Sequence, residues 1–244
     1  MKTNLIMMWG VPRSVSTAFE KTFSQRSDTT TIHEPFAECY YYGPDRVSDR
    51  YMESNEREYS KAAALNTIYA NKSPLVFVKD LAFQSYHFVD DELLKKSNNA
   101  FIIRHPHKVF SSLVKLKPDF TEQEFGFTAL EILWNRVKNL KKENPILIEG
   151  ERFQKEPRKT LLIFCEKLGI EYQDKMLEWE NGKLNNWKEE DNEIHGKWHK
   201  NLENSKTISF TENLESDLSM NSEQKEIVNR AMEIYNKLIT YSIN

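Results

Sequence analysis

The chain has 244 residues, with 34 Lys and Arg against 37 Asp and Glu, a formal net charge of −3 and only seven glycines. This glycine content is under half of the usual level of about 7%, which excludes collagen-like and linker-like architectures. The near-neutral charge gives no overall field to draw the chain onto nucleic acid or an anionic bilayer. A hydrophobic fraction of 39% is enough for a globular core, so we expect one domain over residues 1–244.

Cysteine usage and apolar runs predict the compartment. Cys39 and Cys165 lie in no CxxC pair and are too few for a disulfide scaffold, which favours a reducing environment. The longest apolar run near the start, residues 5–9, is far shorter than a signal peptide core or a membrane span. We therefore expect a cytoplasmic protein with neither a membrane nor a nucleic-acid partner.

Residues 181–217 are rich in Asn, Glu, Lys and Ser, and we expect a mobile lid there.

Five short apolar runs alternate with helical patterns along the chain. The runs are unbroken, as in strands buried on both faces of a parallel sheet, and lie at 5–9, 29–32, 75–78, 100–103 and 146–148. Helical spacing predicts helices over 16–25, 53–69, 108–115, 121–142, 157–168 and 223–239. The order predicts an α/β fold, with three α/β/α layers around a mainly parallel five-stranded sheet.

The junction between the first strand and the first helix is a candidate anion site. It has the sequence GVPRSVST over residues 10–17, where free N–H groups and the positive end of the helix dipole converge. Arg13 adds a charge, and Ser14, Ser16 and Thr17 add hydroxyl donors. The lysine of a Walker A loop is absent. The alternative is an ordinary turn capped by Ser or Thr.

A second candidate anion-binding element follows the fourth strand. Arg104 stands at the predicted strand end, and Ser112 lies about two turns along a helix that opens at Pro106. Side chains in these two positions can bind the same phosphate group.

Together these elements resemble the P-loop sulfotransferases, which use 3′-phosphoadenosine 5′-phosphosulfate (PAPS). The sequence RSVST at 13–17 is similar to the family's loop for the 5′-phosphosulfate, and Arg104 with Ser112 is similar to its pair for the 3′-phosphate. Residues 148–157 and 164–169 resemble the family's ExLxxxP segment and FLG helix end, and residues 196–198 resemble its late GxW stretch.

The resemblance implies a P-loop NTPase-like fold, PAPS as cosubstrate, adenosine 3′,5′-bisphosphate (PAP) as product and no metal. The donor-binding residues that it implies are Pro12, Arg13, Ser14, Val15, Ser16, Thr17, Arg104, Ser112, Gly196 and Lys197. Val15 departs from the family, which usually has glycine there, so positive φ is not freely available at this position.

Sulfuryl transfer needs a base for the acceptor hydroxyl and positive groups where negative charge develops. The family's histidine after the third strand is absent from the sequence FVKDL at 77–81. Glu34 follows Arg13 by 21 residues, a spacing similar to that of the catalytic glutamate in tyrosylprotein sulfotransferases. The resemblance implies Glu34 as the base, with Lys79 and Arg13 stabilising charge. The alternative is a structural carboxylate paired with Arg13 or Lys79.

Other polar residues near these positions have two interpretations each. His33 can share the proton transfer, but strand alternation predicts that it points away from Glu34, which equally favours a packing role. Asp80 either orients Lys79 or the acceptor, or caps a helix. The His105/His107 and His195/His199 pairs lack cysteine or carboxylate partners, so we predict no metal.

The leading hypothesis is therefore a sulfotransferase with a small-molecule or peptide hydroxyl acceptor. One alternative is a P-loop nucleotide kinase or NTPase, which the missing Walker lysine disfavours. The other is a catalytically inactive nucleotide-binding protein. We expect residues 36–69 and 115–125 to determine the acceptor.

Overall fold

A computed structural model describes residues 3–50, 59–181, 184, 202–210 and 219–243. Most of the lid predicted over 181–217 lies outside these residues, so the lid stays a prediction. The single domain over 1–244 likewise stays a prediction.

The five predicted strands form one sheet, and every neighbouring pair in it is parallel. The strands are β1 (Asn4–Gly10), β2 (Thr29–His33), β3 (Leu75–Leu81), β4 (Asn98–Ile103) and β5 (Ile146–Glu149), and their order across the sheet is β2-β3-β1-β4-β5. The predicted α/β class with a central five-stranded sheet is confirmed.

Helices cover both faces of this sheet. They are α1 (Ser16–Ser24), α2 (Ala37–Tyr41), α3 (Lys61–Tyr69), α4 (Ala82–Ser85), α5 (Asp91–Lys96), α6 (Pro106–Leu113), α7 (Glu122–Phe125), α8 (Phe127–Lys141), α9 (Gly150–Lys155), α10 (Pro157–Leu168) and α11 (Ser222–Leu238). Among the described residues, no helix combines the length and the apolar character that a membrane crossing requires.

The helix predicted over 121–142 is in fact two helices. Gly126 adopts a φ of 84°, a left-handed conformation that ends α7 and precedes α8. The start of α7 follows its sequence signal, because Thr121 and Glu124 form the reciprocal hydrogen bonds of a capping box. The break matters for the loop after β1, because a Cβ on Gly126 would lie 3.0 Å from Pro12 Cδ.

Two hydrophobic cores lie on opposite faces of the sheet, and alternation along β1 shows why. Met7 and Trp9 belong to the core formed with α2 to α6, α8 and α11, whereas Ile6 and Met8 belong to the core formed with α1, α9 and α10. In the second core Phe23 of α1 stacks on Phe77 of β3, with ring centroids 4.2 Å apart. This packing fixes α1 against the sheet and, with it, the loop that precedes α1.

The strand order places a topological switch point at β1. The chain proceeds from β1 to one side of the sheet through β2 and β3, and then crosses to β4 on the other side. In open α/β sheets ligands bind outside the carboxyl ends of the strands at such a point. The loops that follow β1, β2, β3 and β4 all emerge at this edge, and they carry the polar residues singled out in the sequence.

Candidate functional site

The loop between β1 and α1 ends at the N-terminus of a helix, where backbone N–H groups and the helix dipole favour an anion. The first N–H groups of α1 have no partners within the helix, and its first turn holds no acidic residue. A Cβ on Gly10 would lie only 3.2 Å from both Ser14 Oγ and Ser16 Oγ, so glycine allows the loop to fold back tightly on β1. Local geometry therefore favours an anion at this helix end.

Val15 adopts the conformation that its side chain disfavours. Its φ is 65° and its ψ 19°, which is left-handed helical, and it is the residue immediately before α1. Arg13 is also left-handed, with a φ of 61°. Such a backbone costs about 1–2 kcal/mol for a residue with a Cβ, so the surrounding loop must hold it in place. At Val15 the loop therefore has the backbone conformation that a glycine would adopt without strain.

Val15→Gly should leave nucleotide affinity unchanged, because glycine adopts the observed φ without strain. Val15→Pro should abolish binding, because proline fixes φ near −65° and would reverse the turn. Calorimetric titration of both variants with adenosine 3′,5′-bisphosphate checks the pair. Equal affinities for the two variants would show that this backbone plays no part in binding.

The loop hydroxyls divide into two groups. Ser14 is fully buried and its Oγ donates a hydrogen bond of 2.6 Å to the carbonyl of Val11, so this side chain braces the loop from within. Ser16 and Thr17 are the first two residues of α1 and are also buried. Pro12 packs towards Gly126 at the junction of α7 and α8.

Two arginines from separate elements meet beside this loop. Arg13 Nε donates a 2.8 Å hydrogen bond to Ser112 Oγ on α6, and Arg104 Nη1 donates to the carbonyl of Arg13 at 3.3 Å. Burial, and then the positive charge of Arg104, lower the pKa of Arg13 to about 10. Burial also lowers the pKa of Arg104. Both guanidinium groups remain charged at neutral pH, so their approach is unfavourable until an anion neutralises them.

Glu151 on α9 and Glu149 at the end of β5 supply part of that negative charge to Arg104. Glu151 of α9 pairs with Lys108 at 2.5 Å, and one of its oxygens lies 4.0 Å from Arg104 Nη2. Arg104 Nε is nevertheless buried without a hydrogen-bond partner among the described residues. A buried charged donor without an acceptor is costly, and an incoming phosphate oxygen would satisfy it.

Glu34 lies directly after β2 and is held by β3. Its φ of 42° is unusual for a residue with a side chain, and its N–H donates a 2.7 Å hydrogen bond to the carbonyl of Lys79. The Lys79 ammonium, only 1% exposed, is hydrogen-bonded to Glu34 Oε1. The predicted pairing of Glu34 with Lys79 therefore exists, and it holds the Glu34 side chain at the carboxyl edge of the sheet.

His33 lies closer to Glu34 than strand alternation predicted. Its Nε2 is 3.7 Å from Glu34 Oε1, although neighbouring strand residues point to opposite faces. The expectation of opposite directions was wrong because β2 ends at His33, and the positive φ of Glu34 turns its side chain back.

Asp80 supports this arrangement from the other face of β3. Its carboxylate accepts hydrogen bonds from the N–H groups of Phe36, at 2.9 Å, and Leu81, at 2.7 Å. Burial and then the negative charge of Glu34 raise the pKa of Asp80 well above its ordinary value. Asp80 thus ties the loop after β2 to the end of β3, and the charge of Lys79 also acts on its carboxylate.

Residues 4–240 match a family model described as a sulfotransferase domain. The chain belongs to the sulfotransferase family. The match covers all five strands and the loops described above.

Two curated relatives come from Arabidopsis thaliana. The chain is 28% identical over 184 residues to "Branched-chain-amino-acid aminotransferase-like protein 2" and 25% identical over 238 residues to "Branched-chain-amino-acid aminotransferase-like protein 1". These alignments cover 74% and 96% of the chain but only 32% and 41% of the relatives. The chain therefore spans about a third to two fifths of the length of the curated relatives that it matches.

Similar solved structures include sulfotransferase domains. One comes from the Synechococcus PCC 7002 olefin synthase; it is 16% identical with a TM-score of 0.48, and the alignment covers 100% of this chain and 98% of that one. Another comes from the curacin biosynthetic pathway; it is 14% identical with a TM-score of 0.49, and the alignment covers 100% of this chain and 99% of that one. A third is mouse sulfotransferase SULT7A1 complexed with PAP (14%, 0.46, 72% and 62%).

Within this sulfotransferase, sequence reasoning missed a glycine that the loop requires. A Cβ on Gly150, the first residue of α9, would lie 2.5 Å from the carbonyl oxygen of Ser14 and 2.9 Å from Val15 Cγ2. The backbone of α9 therefore packs directly against the loop between β1 and α1. Only the resemblance of 148–157 to a family segment pointed to this region, and the contact itself has no signal in the sequence.

Gly150→Ala should weaken nucleotide binding, because the added methyl would displace the backbone at Ser14 and Val15. The matched control is Gly169→Ala, at the end of α10, where a Cβ would meet nothing within 4 Å but the φ of 64° is strained. Both variants should lose stability, and only the first should lose affinity in a titration with adenosine 3′,5′-bisphosphate. Equal affinities would contradict the loop contact.

Two predicted features are not tested by these residues. Gly196 and Lys197 lie outside the described residues, so their contact with the nucleotide stays a prediction. Across the described ranges, no group of three or more His, Cys, Asp and Glu side chains is placed to hold a metal ion. The metal-free site also stays a prediction.

Proposed function

We propose that this sulfotransferase moves a sulfuryl group from PAPS to a hydroxyl acceptor and releases adenosine 3′,5′-bisphosphate. The observation that carries the donor assignment is that two buried guanidinium groups meet at the loop between β1 and α1: Arg13 donates to Ser112 Oγ, and Arg104 donates to the carbonyl of Arg13. Two phosphate-bearing ends of one ligand suit two adjacent subsites. One is formed by the N–H groups at the start of α1, and the other by Arg104, which follows β4, with Ser112 on α6.

Glu34 is our proposed general base. It removes the proton of the acceptor hydroxyl while the oxygen attacks sulfur, and the bond from sulfur to the phosphate oxygen breaks on the opposite side. Lys79 lies beside Glu34 and, by the β1–β3 register, opposite Met8 of β1, two residues before Gly10. Its ammonium therefore belongs to the same edge as the phosphate loop, where it stabilises negative charge on the transferring oxygens.

The acceptor side is proposed to lie over α2 and α7. A cavity of about 410 Å³ opens between the predicted specificity segments, and its polar lining includes Tyr40, Ser48, Arg50, Thr121, Gln123 and Glu124. Arg50 donates to both oxygens of Glu124, at 2.9 and 3.0 Å, which holds residues 48–50 against α7. Helix α2 begins at Ala37, three residues after Glu34, and it contributes Tyr40 to the lining of this cavity. This position supports a polar, hydroxyl-bearing small molecule or peptide.

The direct test is transfer itself. The protein is incubated with PAPS and a panel of phenols, alcohols and hydroxyl-bearing peptides, and mass spectrometry measures both sulfated product and adenosine 3′,5′-bisphosphate. We expect stoichiometric formation of the two products in EDTA. Binding of the bisphosphate without turnover of any acceptor would instead support a nucleotide-binding protein, and phosphoryl transfer from Mg²⁺-ATP would support a kinase.

A further inference from the structure

Glu20 is a fully buried carboxylate that the sequence did not single out. It lies on α1, one turn beyond Ser16, and its Oε2 is 2.6 Å from His33 Nδ1. Its other oxygen, Oε1, is buried without a hydrogen-bond partner among the described residues. Burying a carboxylate is costly unless a partner offsets it, so its direct contact with a histidine at the proposed active site calls for a functional explanation.

The two ring nitrogens of His33 face two different carboxylates. Nδ1 contacts Glu20 from α1, and Nε2 lies 3.7 Å from Glu34 Oε1. Because a carboxylate only accepts hydrogen bonds, its contact with Nδ1 requires a proton on Nδ1. In the neutral ring the lone pair is then on Nε2 and faces Glu34. The side chains form a line from Glu20 through His33 to Glu34.

Other charged groups surround this line. Lys79 of β3 is paired in register with His33 and is hydrogen-bonded to Glu34. Lys21 follows Glu20 on α1 and is also buried; burial lowers its pKa, and the charge of Glu20 opposes that effect. Of the charged side chains on α1, Glu20 is the one that the structure places at hydrogen-bonding distance from the His33 ring, 2.6 Å from Nδ1.

We infer that Glu20 is a positioning residue for proton transfer in the proposed sulfotransferase reaction. Glu34 takes the proton of the acceptor hydroxyl as the oxygen–sulfur bond forms and the sulfur–phosphate oxygen bond breaks. That proton then passes to His33 Nε2, which restores the Glu34 carboxylate and forms an imidazolium that Glu20 stabilises. Water finally accepts the proton from the imidazolium. The 3.7 Å separation needs a small side-chain approach or one bridging water.

The inference rests on the proposed function, so its test uses two readouts. The first is the pKa of His33 in the ligand-free protein, measured by NMR titration, which needs no turnover. In Glu20→Gln the His33 ring should give up its proton at lower pH than in the wild type, because the negative charge next to Nδ1 is gone. The second is the pH profile of kcat, which should shift with the histidine while the affinity for adenosine 3′,5′-bisphosphate stays constant. We expect kcat at neutral pH to fall at least tenfold.

Two further variants separate positioning from simple packing. Glu20→Asp keeps the carboxylate and should restore part of both the His33 pKa and kcat, and it serves as the test if Glu20→Gln does not fold. Thr22→Val is the matched control, because Thr22 is equally buried on α1 and loses a 2.7 Å hydrogen bond to the carbonyl of Phe19. It should change neither readout.

Each outcome decides the inference. An unchanged His33 pKa in Glu20→Gln overturns the coupling between the two side chains. A shifted pKa with an unchanged kcat profile overturns the role in proton transfer and leaves only a link between α1 and β2. If the wild type transfers no sulfuryl group, the proposed function and the catalytic half of the inference fail together, while the titration still decides the coupling.

Discussion

Glu34→Gln should lower kcat by about 10²- to 10⁴-fold, the range expected for loss of a general base, and leave the affinity for adenosine 3′,5′-bisphosphate unchanged. The reason is that Gln cannot accept the proton of the acceptor, while the groups that face the donor phosphates remain. Initial rates of product formation with saturating PAPS, together with a calorimetric titration, measure the two quantities. Glu226→Gln, on the exposed face of α11, is the control and should behave as wild type.

If Glu34 is instead a structural partner of Lys79, its replacement should lower activity by lowering stability. Lys79 is buried, and removing one partner of a buried ion pair costs up to about 3–5 kcal/mol, so Glu34→Gln should also lower Tm. The double variant Glu34→Gln/Lys79→Met removes both charges and should regain part of that stability without regaining activity. If activity instead followed Tm across the two variants, Glu34 would be a structural partner of Lys79 and our base assignment would be wrong.

Arg104→Met should weaken binding of adenosine 3′,5′-bisphosphate by about 10- to 150-fold, which corresponds to one charge-assisted hydrogen bond of about 1.5–3 kcal/mol. The same change should not lower the Tm of the ligand-free protein. It removes a buried guanidinium that approaches Arg13, and Glu151 keeps its ion pair with Lys108. Calorimetry and thermal denaturation measure the two effects.

The control for this prediction is Arg158→Met, which removes an exposed arginine whose partner, Asp174, is also exposed. It should change neither affinity nor Tm by a measurable amount. If Arg104→Met lowered Tm so far that unfolding explained the weaker nucleotide binding, this guanidinium would mainly stabilise the fold. Unchanged affinity would remove Arg104 from the donor site.

Most of the sheet was predictable because β1, β3, β4 and β5 are largely buried on both faces, whereas the edge strand β2 is mostly half-buried. A strand such as β1 must be apolar on each side, so it appears in the sequence as an unbroken run with no alternation. Helix boundaries were less predictable where one residue changes the backbone direction. Gly126 interrupts a continuous helical pattern with a left-handed conformation, and it lies close to Pro12, a tertiary contact that apolar spacing does not record.

The candidate site was predictable only where residues lie in recognisable segments. The loop at 13–17 and the Arg104 and Ser112 spacing are local patterns, and the fold brings them into direct contact. Glu20 and Gly150 were missed because each acts through a tertiary contact with a distant segment. A glutamate and a glycine at those positions look ordinary in a helix, and their importance follows from burial against His33 and the phosphate loop.

The central claim is that Arg13, Arg104 and Ser112 form a site for a donor with a 3′-phosphate. The most direct measurement is a calorimetric titration of the wild-type protein, in EDTA, with adenosine 3′,5′-bisphosphate and separately with adenosine 5′-monophosphate. We predict that the bisphosphate binds about 10- to 150-fold more tightly, because only it places a phosphate on Arg104. Equal affinity for the two nucleotides, or binding that requires Mg²⁺ and ATP, would contradict the account.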